Sequence, residues 1–316
     1  MESETGVALL IVAVGFYILC SFYLLHNPLI LHKKKRVAFC SRHISHRGGA
    51  GEKIENTMEA FAHAVNVGTE MLELDCHLTL DGYVVVCHDK NLERQTGSNV
   101  DVSLVKFQDL PLYRKKLEVT FSVGQYGKGE DRRIALLEDV FKRFPKIAIN
   151  IEVKQDSDEL IRKVSSLVKK YDREGITVWA TEDSHIMAKC RKQNPFMPYS
   201  FTARRVILLL VLYYTGFLPF CPLGESLLQF YLPRVINRSY IPEEFFLKNN
   251  FVVSLIEKLT MRKSLLEHLV KRGMQVQLFV CNNQEDMAAA FAFGATGVMT
   301  DYPTMLSDYL QKHPAV

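Results

Sequence analysis

No CxxC pair occurs among the seven cysteines, which stand at 20, 40, 76, 87, 190, 221 and 281. The chain therefore offers no paired-cysteine zinc site, and the odd count leaves no complete disulfide framework. Charge of one sign is also scarce. Lys and Arg number 39 and Asp and Glu 35, a net charge of +4. No basic stripe interleaved with aromatics exists, so nucleic acid is not an expected partner. The slight basic excess favours anionic membrane surfaces, and only weakly. No obligate protein partner is implied.

What is present is apolar mass: 48% of the 316 residues are hydrophobic. That suffices for one α/β barrel and an appendage. Val7 to Leu25 is uncharged, and a helix of that length spans about 28 Å, close to the hydrocarbon thickness of a bilayer. Glu2 and Glu4 precede it, where a signal peptide would carry positive charge, and no small-residue cleavage site follows. Residues 1–36 are expected to be a single-pass anchor (helix about 7–25) with a basic flank, Lys33 to Arg36. That flank biases the following domain toward the cytoplasm. Asn237-Arg238-Ser239 would be a glycosylation acceptor only on the lumenal side. A second apolar run, Val206 to Cys221, is short for a span. Crossing there would also split a closed barrel between two compartments. A membrane-associated insertion over about 204–232 is expected instead.

From Val37 to the end, strand-like runs alternate with helix-period segments, as in a parallel sheet. The expected strands are His43–His46, Met71–His77, Tyr83–His88, Ile147–Lys154, Ile176–Ala180, Met197–Thr202, Arg234–Asn237, Gln275–Cys281 and Gly297–Thr300. Asn56 with Glu59 reads as a capped helix start running to Gly68. A total near eight units predicts a (β/α)8 TIM barrel over 37–316. The polar stretch of about 90–133 is expected as an insertion on the active-site rim.

Polar clusters sit at strand ends. Glu73 and Asp75 are two apart on an apolar strand and so face the same side. Buried together, two carboxylates repel unless a cation joins them. Glu152 can complete the set from a neighbouring strand. Three carboxylates suit Mg²⁺ or Ca²⁺ better than Zn²⁺. His46 and His88 each follow an apolar strand and can share acid and base duties in phosphodiester cleavage. His77 shares the parity of Glu73 and Asp75 and is expected behind them. Arg47 and Lys154 supply positive charge for phosphate oxygens. The Gly48-Gly49-Ala50-Gly51 run would let backbone approach a ligand.

The ordered motifs HRG, ENT, ExD, VVCHD, RQTG, IEVK and GVMTDYP run from Ile44 to Pro303. Together they resemble the glycerophosphodiester phosphodiesterases. With the anchor and the apolar run, the chain is most similar to their membrane-bound lysophospholipase D branch. The resemblance implies one divalent ion, Ca²⁺ or Mg²⁺, on Glu73, Asp75 and Glu152, with His46 and His88 as the acid–base pair. Arg47 and Lys154 would contact phosphate, and Glu55 and Asn56 would shape the site. Lysophospholipids would lose choline or ethanolamine, leaving lysophosphatidic acid or its cyclic form. The implied location is the endoplasmic reticulum or perinuclear membrane. The chain departs from the family in two places. Phe279 stands where Trp is common, which alters ligand packing, and Thr296 stands where an acidic residue is common. The alternatives are a phosphodiesterase of water-soluble glycerophospho-alcohols and a non-catalytic lipid-binding scaffold.

Overall fold

The computed structural model describes residues 2–314. Helix α1 (Glu2–His26) precedes everything else. Strand β1 (His43–Ser45), helix α2 (Met58–Asn66) and strand β2 (Met71–Leu78) open the barrel. A long excursion follows, made of β3 (Val84–Val86), α3 (Glu93–Thr96), the hairpin β4 (Lys116–Glu118) and β5 (Tyr126–Lys128), and β6 (Ala135–Leu136) with α4 (Leu137–Arg143). The alternation resumes with β7 (Ala148–Val153), α5 (Asp158–Lys170), β8 (Thr177–Ala180) and α6 (Ser184–Gln193). Then come α7 (Ala203–Tyr214), β9 (Leu227–Tyr231), α8 (Asn250–Thr260) and α9 (Lys263–Lys271). The chain ends with β10 (Gln275–Phe279), α10 (Gln284–Phe293), β11 (Gly297–Thr300) and α11 (Pro303–Lys312).

The ring closes through parallel pairs. β1 lies between β2 and β11, β2 continues to β7 and β8, and β11 continues to β10 and β9. Between β8 and β9 a single extended segment makes the link: Tyr199 bridges Trp179, and Ser200 bridges Leu227. With that segment the barrel has its eighth stave. β3 and β6 pair antiparallel outside the ring.

Three expectations need correction. Arg234–Asn237 is not a strand; Pro233–Val235 is a 3-10 turn, opened by a proline that has no N–H for a ladder. The stave omitted from the expected strands is β9. It lies inside the stretch 204–232, so that stretch ends in the barrel wall rather than outside it. Its sequence, Leu-Leu-Gln-Phe-Tyr, alternates poorly because its two faces meet different apolar layers. Finally, the cap of α2 is Thr57, whose hydroxyl accepts from Ala60 N at 3.2 Å. Asn56 has φ 58 and turns its amide elsewhere.

Strand parity sorts the side chains. Leu72, Leu74, Ile149, Ile151 and Trp179 point outward into the layer under the helices. Ile44, Met71, Ala148, Val178, Leu227 and Met299 point inward and plug the base of the barrel. Two residues further along the same strands the inward positions turn polar: His46, Glu73, Asn150, Gln229 and Asp301. The period of two therefore delivers chemistry to the carboxyl end of the ring.

Helix α1 is long and apolar enough over Thr5–His26 to cross a membrane. Its second half grips the barrel. Tyr17 Oη donates to Thr215 O at 2.6 Å, and Ser21 Oγ donates to Gly216 O at 2.7 Å. Lys271 Nζ donates to His26 O at 3.1 Å, and His268 Nδ1 lies 2.8 Å from Leu25 O. Of α7, only Leu209 is fully buried, while Ile207, Leu208, Val211 and Tyr214 are exposed. The Asn237 amide donates to Leu247 O at 2.7 Å and to Asn250 Oδ1 at 3.0 Å, so it is engaged by protein groups.

Candidate active site

The register of β2 against β7 sets Asp75 directly beside Glu152 and Glu73 beside Asn150. One oxygen from each of Glu73, Asp75 and Glu152 lies within 4.8 Å of the others. Glu73 and Asp75 are buried, and Glu152 is half-buried. Burial first, and then the charges of Asp75 and Glu152, push the Glu73 carboxyl above the usual carboxylate range. Burial would raise Asp75 too, but Lys154, His88 and Arg47 outweigh it and hold that carboxyl down. Such conflict between neighbouring acids is what a hard cation relieves. The buried Asn150 Oδ1, which has no hydrogen-bond partner among the described residues, adds a neutral oxygen on the same wall. The donor set fits a divalent ion bound through oxygen.

Positive charge surrounds the acids. Lys154 Nζ lies 2.8 Å from Glu152 Oε1 and 3.4 Å from Asp75 Oδ1. Arg47 N donates to Glu73 Oε2 at 2.8 Å, and its Nη1 donates to Glu55 Oε2 at 3.2 Å. The buried Arg47 Nε makes no hydrogen bond among the described residues and lies 3.9 Å from Asp75 Oδ2, so its charge adds to that of Lys154 beside the acids.

Each histidine has its own carboxylate. His46 Nδ1 is 2.7 Å from Asp301 Oδ1. Asn282 fixes that carboxylate: its Nδ2 donates to Asp301 Oδ2 at 2.8 Å and its Oδ1 accepts from Asp301 N at 2.9 Å. Burial alone would lower the His46 imidazole, but Asp301 outweighs it and raises the group above its ordinary value. His88 Nδ1 is 2.6 Å from Asp89 Oδ1, and Arg94 Nε donates to Asp89 Oδ2 at 2.7 Å. With both Nδ1 atoms engaged, each ring turns Nε2 to the cavity. His77 Nε2 sits 3.1 Å from His88 O, and so supports that residue from behind.

One cavity of about 520 Å³ joins these groups to an apolar arm. Its polar end is lined by His46, Arg47, Glu73, His88, Glu152 and Lys154. Its other end is lined by Val206, Ile207 and Leu210 of α7 and Ile256 and Leu259 of α8. Phe121, Tyr231 and Phe279 form an aromatic wall between them; the rings of Tyr231 and Phe279 are 4.5 Å apart.

Glu55, Asn56 and Asp75 do not line this cavity. Glu55 takes Arg47, Arg94 Nη2 at 2.6 Å and Gln95 Nε2 at 2.7 Å. Burial opposes its ionisation, yet Arg94 and Arg47 win and bring it down to about 2. Asn56 Nδ2 donates to Asp75 Oδ2 at 3.1 Å. Both residues therefore position other groups rather than touch a ligand. The glycine run likewise serves packing: a Cβ on Gly49 would meet Pro303 at 2.7 Å, and one on Gly51 would meet Tyr302 at 2.5 Å.

Asp301, Asn282, Asp89, Arg94, Phe121 and the α7–α8 arm were not among the expected site residues. Asp301 has a signal in the sequence, since it continues the inward parity of Met299. Phe121 arrives on the excursion that follows β3, and its ring meets His46 edge-on at 5.4 Å. Nothing local marks it. Thr296, just before β11, is engaged by the neighbouring strand β10, its hydroxyl donating to Val276 O at 3.0 Å.

Residues 46–305 match the Glycerophosphoryl diester phosphodiesterase family. The chain belongs to that family. As a member it is a phosphoric diester hydrolase acting on glycerophosphodiesters, carried on a TIM barrel. Among similar proteins is the human "Lysophospholipase D GDPD1", 47% identical over 313 residues, covering 99% of this chain and 100% of that one. The human "Lysophospholipase D GDPD3" is 48% identical over 301 residues, 95% of each chain. Solved structures share the fold. A glycerophosphodiester phosphodiesterase of Agrobacterium tumefaciens superposes with a TM-score of 0.61 at 16% identity, covering 86% of this chain and 99% of that one. A phosphodiesterase of Oleispira antarctica, solved with the product sn-glycerol-3-phosphate, gives 0.59 at 17% identity over 86% and 97% of the two chains.

Proposed function

We propose that this hydrolase is a membrane-anchored, metal-dependent lysophospholipase D, releasing choline or ethanolamine from single-chain glycerophospholipids. The observation that carries this reading is that the polar site and the apolar arm between α7 and α8 are one cavity. A glycerophospho-alcohol needs only the polar end. A lysophospholipid also needs somewhere dry for its acyl chain. The likeness to proteins named lysophospholipase D supports the same choice. The grip of Tyr17, Ser21 and Leu25 on the barrel supports reading α1 as a retained anchor.

Glu73, Asp75 and Glu152 would hold one Mg²⁺ or Ca²⁺. When bound, that ion supplies charge neutralisation at the phosphate and acidifies a coordinated hydroxyl. The side chains divide the rest. Arg47 and Lys154 orient the phosphate oxygens. His88 Nε2 removes the proton from the glycerol hydroxyl next to the phosphorylated carbon, whose oxygen then bonds to phosphorus. The bond from phosphorus to the head-group oxygen breaks, and His46, whose pKa Asp301 raises, gives that oxygen its proton. Cyclic phosphatidic acid and the free alcohol result. Water attacking the cyclic diester, with the histidine roles reversed, would yield lysophosphatidic acid.

The test compares turnover of lysophosphatidylcholine and glycerophosphocholine at graded Mg²⁺ and Ca²⁺, using wild type and His46→Ala. The reading expects the lysolipid to be the better substrate, with His46→Ala reducing both by about 10²–10⁴-fold. Preference for glycerophosphocholine would instead assign the enzyme to water-soluble diesters.

A further inference from the structure

We infer that the outer faces of α7 and α8, with the turn before α8, form a second membrane contact that opens the apolar arm directly into the bilayer. The inference rests on the lysophospholipid reading above and adds the route by which the lipid arrives. Ile207 and Leu259 both line the cavity and are 64% and 41% exposed. The arm thus opens sideways, between the two helices. Tyr214 Oη donates to Leu259 O at 2.9 Å and holds them together beside the opening.

The surface around that opening is apolar well beyond the cavity. Leu208 and Val211 continue it along α7, and Phe251 (75% exposed) and Leu255 along α8. Phe245, in the turn over Phe245–Lys248 just before α8, is 89% exposed, with Phe246 beside it. Such a patch has no business facing water. Its far end says what covers it. Past the end of α7, Phe217 and Phe220 lie against Tyr17 of α1, with ring centroids 5.5 and 6.2 Å away. The patch is therefore continuous with the one helix, among the described residues, that is long and apolar enough to cross a membrane. The sequence of α7 contains no acidic residue. Charged side chains border the patch, Arg204, Lys248 and Lys258 with Glu243 and Glu244 beside Phe245, as suits a rim at the level of zwitterionic head groups. A lipid whose chain lies in the leaflet could slide between α7 and α8 without its tail crossing water.

The full-length protein in phosphatidylcholine vesicles tests this. Two readouts apply to the variant L208D/V211D/F251D, none of whose positions lines the cavity. Turnover of lysophosphatidylcholine embedded in the vesicles should fall by about 10-fold or more, because each buried charge is opposed by the hydrocarbon. Turnover of soluble glycerophosphocholine should stay at the wild-type level. Separately, Phe251→Trp should be quenched by brominated acyl chains, against a background of Trp179, which is buried in the barrel wall. Unchanged turnover in the vesicles, or an unquenched indole, would overturn the inference. So would a wild-type dimer that the triple variant splits, since a second copy would then be the occupant. If wild type cleaves only glycerophosphocholine, the lysophospholipid reading fails, and the quenching still decides the contact.

Discussion

Each imidazole at the barrel mouth is held by its own carboxylate, His46 by Asp301 and His88 by Asp89. Asp301 is buried with His46 and raises it, so the ring is suited to give a proton. Replacing Asp301 by Asn removes that charge and lowers the His46 pKa. The alkaline limb of the rate profile should then move to lower pH, and kcat should fall by about 10²–10⁴-fold. KM should change little, because Asp301 does not line the cavity; steady-state kinetics against pH would read both effects. Glu73 gives a second prediction. Its folded-state pKa of about 8 lies above the free-carboxyl value of 4.5. Between those values the native state binds more protons than the unfolded chain, so metal-free protein should lose stability as pH rises. Melting curves at about pH 5 and about pH 8 in chelator should show the drop, and added cation should reverse it at the higher pH.

Elements deliver these residues with unequal visibility. The carboxylate trio was legible, because Glu73 and Asp75 share a parity on an apolar strand and Glu152 ends another. The division of labour was less so. Glu55 and Asn56 carry family-like letters, but only the fold reveals that they hold Arg47, Arg94 and Asp75 rather than substrate. The rim hairpin is the least legible element, since β4 and β5 are short and solvent-facing. Its placement depends on Gly127, where a Cβ would lie 2.3 Å from Ala50 O and 2.4 Å from Lys53 O. Those are backbone atoms that cannot step aside. Gly127→Ala should push the hairpin outward and draw Phe121 off His46. We expect kcat/KM to fall by about 10-fold with a modest loss of Tm, because the barrel core is untouched. Thr57→Ala, by contrast, should cost about 1 kcal/mol of stability through the lost cap of α2 and leave KM alone. Thermal unfolding alongside kinetics would separate the two cases.

At the scale of the whole molecule, the apolar arm depends on two helices that are far apart in sequence, and no local pattern pairs them. The barrel was legible from its β/α rhythm, apart from one strand whose alternation is masked by burial on both faces. Filling the arm should change substrate choice: Leu210→Trp is expected to lower the ratio of lysophosphatidylcholine to glycerophosphocholine turnover by about 10-fold, measured on both substrates in parallel. The docking of α1 has a mechanical consequence. The clasps at Tyr17, Ser21, Leu25 and His26 all lie upstream of the basic flank. The flank is therefore not a leash whose length decides how far the catalytic head can roam. Splicing a flexible spacer in after Lys34 should leave lipid turnover unaltered, whereas loosening the clasps would let the head tumble away from its substrate supply.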